Sequence, residues 1–98
     1  MKTKITLKMG GAEAVGMSRV GYMPDGTKYR DLVCAFGEPQ RQGLSKDGKT
    51  RVEWHGKING LEFTIYDYKS GVEPEKNTDW HIGGKIALVA DLLTAYMR

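Results

Sequence analysis

Ninety-eight residues, with 40% hydrophobic and 28% charged side chains, predict a soluble globular chain organised as a single domain over residues 1–98 with one small core. No apolar run approaches the roughly 20 residues that cross a bilayer, which excludes a membrane span. Lys2, Lys4 and Lys8 occupy the stretch where a secretory signal would carry its apolar segment, and the single Cys34 excludes an internal disulfide framework or a multi-cysteine zinc cluster. A reducing cytoplasm is the expected compartment.

Lys and Arg total 15 against 12 Asp and Glu, a net charge of +3. That mild excess fits a weak attraction for phosphates or an acidic protein surface, or an ordinary solvated lysine face, and does not settle the partner. Dedicated DNA-binding domains usually concentrate basic residues on one face. The positive sign excludes a DNA mimic, which has to be strongly acidic.

In chain order, residues 2–9 alternate: Thr3, Ile5, Leu7 and Met9 on one face, Lys2, Lys4, Thr6 and Lys8 on the other. A period of two predicts a strand with one wet face. Gly10 and Gly11 break it, residues 12–16 favour neither state, and Arg19 to Met23 can return as a second strand. Pro24, Asp25 and Gly26 form a turn. Thr27 stands as the N-cap of a helix over 28–36, where Tyr29, Leu32, Val33 and Phe36 recur at helical spacing; Gly37 and Pro39 end it. Cys34 lies next to the apolar stripe and is expected to be a buried, inert thiol.

Residues 50–58 and 61–68 flank Asn59-Gly60, the dipeptide that a type I′ hairpin turn prefers because both central residues need positive φ. A two-residue loop puts Val52, Trp54, Ile58, Leu61, Phe63 and Ile65 on one face. The other face carries Arg51, Glu53, His55 and Lys57 against Glu62, Thr64, Tyr66 and Tyr68, with Lys57 opposite Glu62 and Arg51 opposite Tyr68. A polar stretch over 70–77 leads to a short strand at 78–82, with Trp80 and Ile82 toward the core and His81 away from it. Gly83 and Gly84 turn the chain into a last helix over 85–97. Its stripe of Ile86, Val89, Ala90, Leu93 and Met97 is widened by Leu88 and Leu92, which fits deep burial or a homo-oligomer contact. The fold class is α+β: a small antiparallel sheet with a central hairpin and two helices packed on it.

Catalytic constellations are poor. His55 and His81 are the only histidines, no metal-ligand spacing joins them, and the carboxylates Asp67, Glu73, Glu75 and Asp79 follow no ligand pattern. No enzymatic activity and no cofactor is expected. Two candidate binding surfaces stand out, the second as the alternative to glycines that simply turn the chain and a Trp80 that packs in the core. Arg51, His55, Tyr66, Tyr68 and Lys69 interleave aromatics with bases, a surface for a protein partner or a single strand, unless a helix covers it. Trp80, His81, Gly83, Gly84 and Lys85 read as strand, glycine turn and helix start, where free N–H groups and a lysine can hold the phosphate of a nucleotide.

The strings YRDLVCAFGEP (29–39), VEW (52–54), TIYDYK (64–69) and DWHIGG (79–84) resemble, in order and with comparable gaps over about residues 27–90, a group of small proteins encoded by many bacteriophages. The resemblance implies a phage or prophage accessory protein acting in the host cytoplasm. A chain of this size and provenance is expected to work by occupancy, binding and inhibiting a host protein, an antiviral defence component such as a CRISPR effector being the target class. A phosphate-bearing ligand (a signalling nucleotide or single-stranded nucleic acid) is the alternative, and a small virion or assembly component, held through helix 85–97, the second.

Overall fold

The computed structural model describes residues 4–11 and 17–97, and their order is α+β. Six antiparallel strands form one sheet: β1 (Leu7–Met9), β2 (Ser18–Tyr22), β3 (Arg41–Gln42), β4 (Val52–Ile58), β5 (Leu61–Tyr66) and β6 (His81–Gly84). The spatial order is β1-β4-β5-β6-β2, with β3 pairing the same side of β4 as β1 but at its other end. Helices α1 (Tyr29–Phe36) and α2 (Leu88–Met97) complete the fold, with a 3-10 turn at Pro74–Lys76.

β4 and β5 meet through Asn59 and Gly60, whose φ values of 50° and 79° supply the two positive torsions of a tight turn. Asn59 also anchors β1: its Oδ1 accepts the Thr6 N–H at 2.7 Å, and its own N–H donates to the Thr6 carbonyl at 2.8 Å. At the opposite end of β4, the buried Asp67 carboxylate accepts the N–H groups of Arg51 and Val52 at 2.8 and 3.1 Å. The strand is thus fastened at both ends.

One face of the sheet carries the core. Trp54, Ile58, Phe63, Ile65, Trp80 and Ile82 are fully buried there. Each indole N–H finds a carbonyl, Trp54 Nε1 on Gly37 at 2.7 Å and Trp80 Nε1 on Thr27 at 3.0 Å. Large aromatics bury roughly 150–250 Å² each, so at about 25 cal/mol per Å² each indole contributes roughly 4–6 kcal/mol before the entropy of ordering. Both helices lie on this same face. α1 delivers Leu32, and Phe36 against Phe63 (6.1 Å between ring centroids), while Tyr29 touches Trp54 and Trp80. α2 delivers Val89 and Leu93, and its Tyr96 stacks on Phe36 at 5.5 Å. Missing side chains let α2 settle: a Cβ on Gly21 would stand 2.8 Å from that of Ala90, and one on Gly84 3.3 Å from Val89.

Several elements differ from the sequence-based expectation. The first strand keeps only Leu7–Met9 of residues 2–9; Ile5, Leu7 and Met9 pack on the core and Lys4, Thr6 and Lys8 are exposed, while residues 2–3 lie outside the described ones. Residues 12–16 also lie outside them. The N-cap of α1 is Lys28, whose N–H donates to Asp31 Oδ2 at 2.9 Å, because the Thr27 hydroxyl is spent on the Pro24 carbonyl at 2.6 Å. Cys34 is exposed, not buried: two residues from both Leu32 and Phe36, it sits about half a turn away from their face. Gly83 and Gly84 do not turn the chain. They continue β6, paired with Thr64 and Phe63 on one side and Arg19 and Ser18 on the other, and the turn falls on residues 85–87. α2 therefore starts at Leu88, three residues later than the stripe implied, leaving Ile86 and Leu88 about half exposed at 47% and 50%.

Candidate functional site

Among the described residues no helix lies on the sheet face opposite the core, since α1 and α2 both pack on the core side. A row of register partners crosses five strands on this bare face: Arg41, Glu53, Tyr66, His81 and Tyr22. At its β2 end the row becomes an aromatic cluster. The His81 ring lies 4.9 Å from Tyr22 at 68°, 5.4 Å from Tyr66 at 39° and 5.4 Å from Tyr68 at 44°; Tyr66 and Tyr68 meet edge to face at 6.5 Å. Two cations flank it. The Arg19 guanidinium lies 5.1 Å from the Tyr22 ring centre and its Nη1 donates to the Tyr22 hydroxyl at 2.6 Å, while Lys69 Nζ stands 5.5 Å over the Tyr68 ring.

Local sequence explains the placement. β2 carries a bulge at Val20, where the register with β6 shifts between Arg19 and Gly21. In a regular strand residues three apart face opposite ways, so the extra residue is what puts Arg19 and Tyr22 on one face. Gly83 leaves a gap beside them: a Cβ there would collide with Thr64 Oγ1 and touch Tyr66 Cε1 at 3.5 Å. Lys69, with φ 48°, turns the chain out of the sheet as its N–H donates to the Lys49 carbonyl at 2.7 Å.

The electrostatics follow from burial. His81 is 9% exposed, and desolvation holds its pKa below the ordinary 6.5, with Arg19 acting in the same direction and Asp79 and Asp67 opposing. The Asp79 carboxylate stands 3.9 Å from His81 Nε2 but is largely in solvent. Desolvation also raises the Tyr66 hydroxyl above its usual 10, so it stays protonated at neutral pH. The cluster thus sets the His81 imidazole and three tyrosines between Arg19 and Lys69, with Tyr22 47% and Tyr68 37% exposed.

Of the first set of sequence candidates, Tyr66, Tyr68 and Lys69 come together here. Arg51 does not face Tyr68: the paired register ends at Glu53 and Tyr66, because Asp67 takes the N–H groups that a longer ladder would use, and Arg51 lines a shallow cleft with Gln42, Leu44 and Glu75. His55 is on the same face but two rungs along, paired with Thr64, and belongs to a separate cleft. The second set is dispersed. Trp80 is in the core, His81 joins the tyrosines, Gly83 faces outward and Gly84 faces α2, both inside the ladder, and Lys85 stands with Gly60, Leu61 and Ile86 at the sheet's far end. No helix N-terminus opens at Gly83-Gly84, so the N–H cradle expected there is absent. Sequence reasoning missed Arg19 and Tyr22. Their strand was visible, but the bulge that aligns them and the pairing that sets them beside His81 were not.

Among the described residues no group of three or more His, Cys, Asp or Glu is placed to hold a metal ion, and no helix is long and apolar enough to cross a membrane. In comparisons with known proteins, no family model, no curated protein and no solved structure matches the chain.

Proposed function

We propose that the protein works by occupancy: it binds a host protein through the bare sheet face and inhibits it, without catalysing a reaction. The observation that carries this reading is the Tyr22, Tyr66, Tyr68 and His81 cluster on a face that neither α1 nor α2 covers. Aromatic side chains flanked by Arg are the composition of interface hot spots, where desolvated ring area supplies affinity and the cations supply steering and charge-assisted hydrogen bonds. The resemblance to bacteriophage-encoded proteins supports a bacterial target in the host cytoplasm, an antiviral defence component such as a CRISPR effector being the class.

A protein partner is favoured over single-stranded nucleic acid by how the rings sit. Base stacking needs free ring faces, whereas these rings meet one another at 39–81° and present edges, and both nearby cations already lie over tyrosines. Asp79, exposed beside His81, further repels phosphate.

The test is affinity capture from host lysate with nuclease treatment, using the wild type, a Tyr22→Ala/Tyr68→Ala variant and a Lys85→Ala control. The reading expects one host protein at near-stoichiometric yield, retained after nuclease and by the control but lost by the double variant. Loss of all bound material on nuclease treatment would transfer the face to nucleic acid.

A further inference from the structure

A second cleft, on the β1 side of the sheet and separate from the tyrosine cluster, has the features of an anion site. It encloses about 180 Å³ and is lined by Lys8, Gly10, Gly11, His55, Lys57 and Glu62. At roughly 30 Å³ per water, that volume has room for a phosphate group with a few waters.

Three observations point the same way. Lys8 and Lys57 are register partners across β1 and β4, both exposed, so two ammonium-bearing chains stand directly opposite each other. Like charges in that relation are destabilising, and among the described residues lining the cleft the one carboxylate, Glu62 opposite Lys57, leaves a positive balance. Next, His55 Nδ1 is buried with no hydrogen-bond partner. The backbone of His55 is committed elsewhere, its N–H to Gln40 Oε1 at 3.0 Å and its carbonyl to the Gly10 N–H at 2.9 Å, so the ring holds the unmet hydrogen-bonding capacity. Lastly, the wall opposite is bare backbone: Gly10 and Gly11 take φ of 84° and 94°, and open space lies where a Cβ would stand on either.

We propose that this cleft binds a phosphate group, with Lys8 and Lys57 supplying charge and the His55 ring supplying an N–H donor. An oxyanion there relieves the lysine opposition, and rotation of the His55 ring toward it satisfies the imidazole. The group can be free or the terminal phosphate of a nucleotide, whose nucleoside would lie outside the cleft. This proposal does not depend on the tyrosine face.

The experiment is a titration of the isotope-labelled full chain with inorganic phosphate and, separately, with ADP, at matched ionic strength against sodium chloride. The readout is the pair of ring nitrogens of His55, with those of His81 as internal reference. The expected result is a saturable shift at His55 alone, weakened at least about tenfold in Lys8→Gln and in Lys57→Gln. Both positions are exposed, so the variants are expected to fold, which their spectra report directly. Tighter binding of ADP assigns a nucleotide as source, and equal binding assigns the phosphate group alone. No shift at His55, a shift reproduced by chloride, or unchanged affinity in both lysine variants would overturn the proposal.

Discussion

The His81 ring stands edge-on to Tyr22, centroids 4.9 Å apart at 68°, although 58 residues separate them and neither belongs to the core. The contact exists because β2 returns to pair with β6 and because the bulge at Val20 puts Tyr22 on the outer face. It joins the exposed Tyr22 to the buried centre of the aromatic cluster. Four predictions follow the same physical lines.

The pH dependence of stability should report His81. Burial lowers its folded-state pKa below 6.5, so the unfolded chain binds a proton more readily in that range. Its contribution is therefore fully present above the unfolded pKa and is lost as pH falls from about 6.5 through the folded value. Urea unfolding at about pH 7.5 and pH 5.5 should show lower stability in acid, and His81→Gln should flatten that slope. An equal slope in the variant would contradict the assignment to His81.

Gly83→Ala should destabilise the fold by about 1–3 kcal/mol, the usual cost of overpacking. The new methyl collides with Thr64 Oγ1, and Thr64 is β-branched and buried between strands, so it cannot turn aside freely. Adding Thr64→Ala removes that oxygen and should restore most of the loss. Denaturation of the two single variants and the double variant closes the cycle, and simple additivity would contradict the account.

Asp67→Ala should cost about 2–4 kcal/mol, since it strips the acceptor from two backbone N–H groups at the start of β4. Asp67→Asn keeps one carbonyl oxygen and should lose less. The measurement is the urea midpoint at neutral pH for each variant, and equal losses would show that the negative charge, rather than the acceptor geometry, is what matters there.

Much of this fold is legible in the residues themselves. The alternation of Val52, Trp54, Ile58, Phe63 and Ile65 marks the buried face, and the recurrence of Tyr29, Leu32, Val33 and Phe36 marks α1. Which face the helices cover is not legible, because it turns on Gly21 and Gly84 admitting α2, and a glycine in a sequence reads first as a turn. The same ambiguity hid β6: Gly83 and Gly84 are strand residues whose missing side chains serve packing on both faces of the sheet. β3, two residues long, carries no pattern to find. The tyrosine face was half visible for a related reason. Tyr66, Tyr68 and Lys69 are neighbours in sequence, whereas Arg19, Tyr22 and His81 join them only through long-range pairing.

The proposed contact through the exposed Tyr22 and Tyr68 is open to an affinity measurement. The Kd of the captured host protein for the wild type, Tyr22→Ala, Tyr68→Ala and a Leu88→Glu control should be measured by calorimetry, with Tm recorded for each. The account predicts that each tyrosine variant loses at least about 2 kcal/mol, roughly thirtyfold, at nearly unchanged Tm, while Leu88→Glu on α2 binds like the wild type. Full affinity in both tyrosine variants together with loss in Leu88→Glu would contradict it and move the interface to the exposed end of α2.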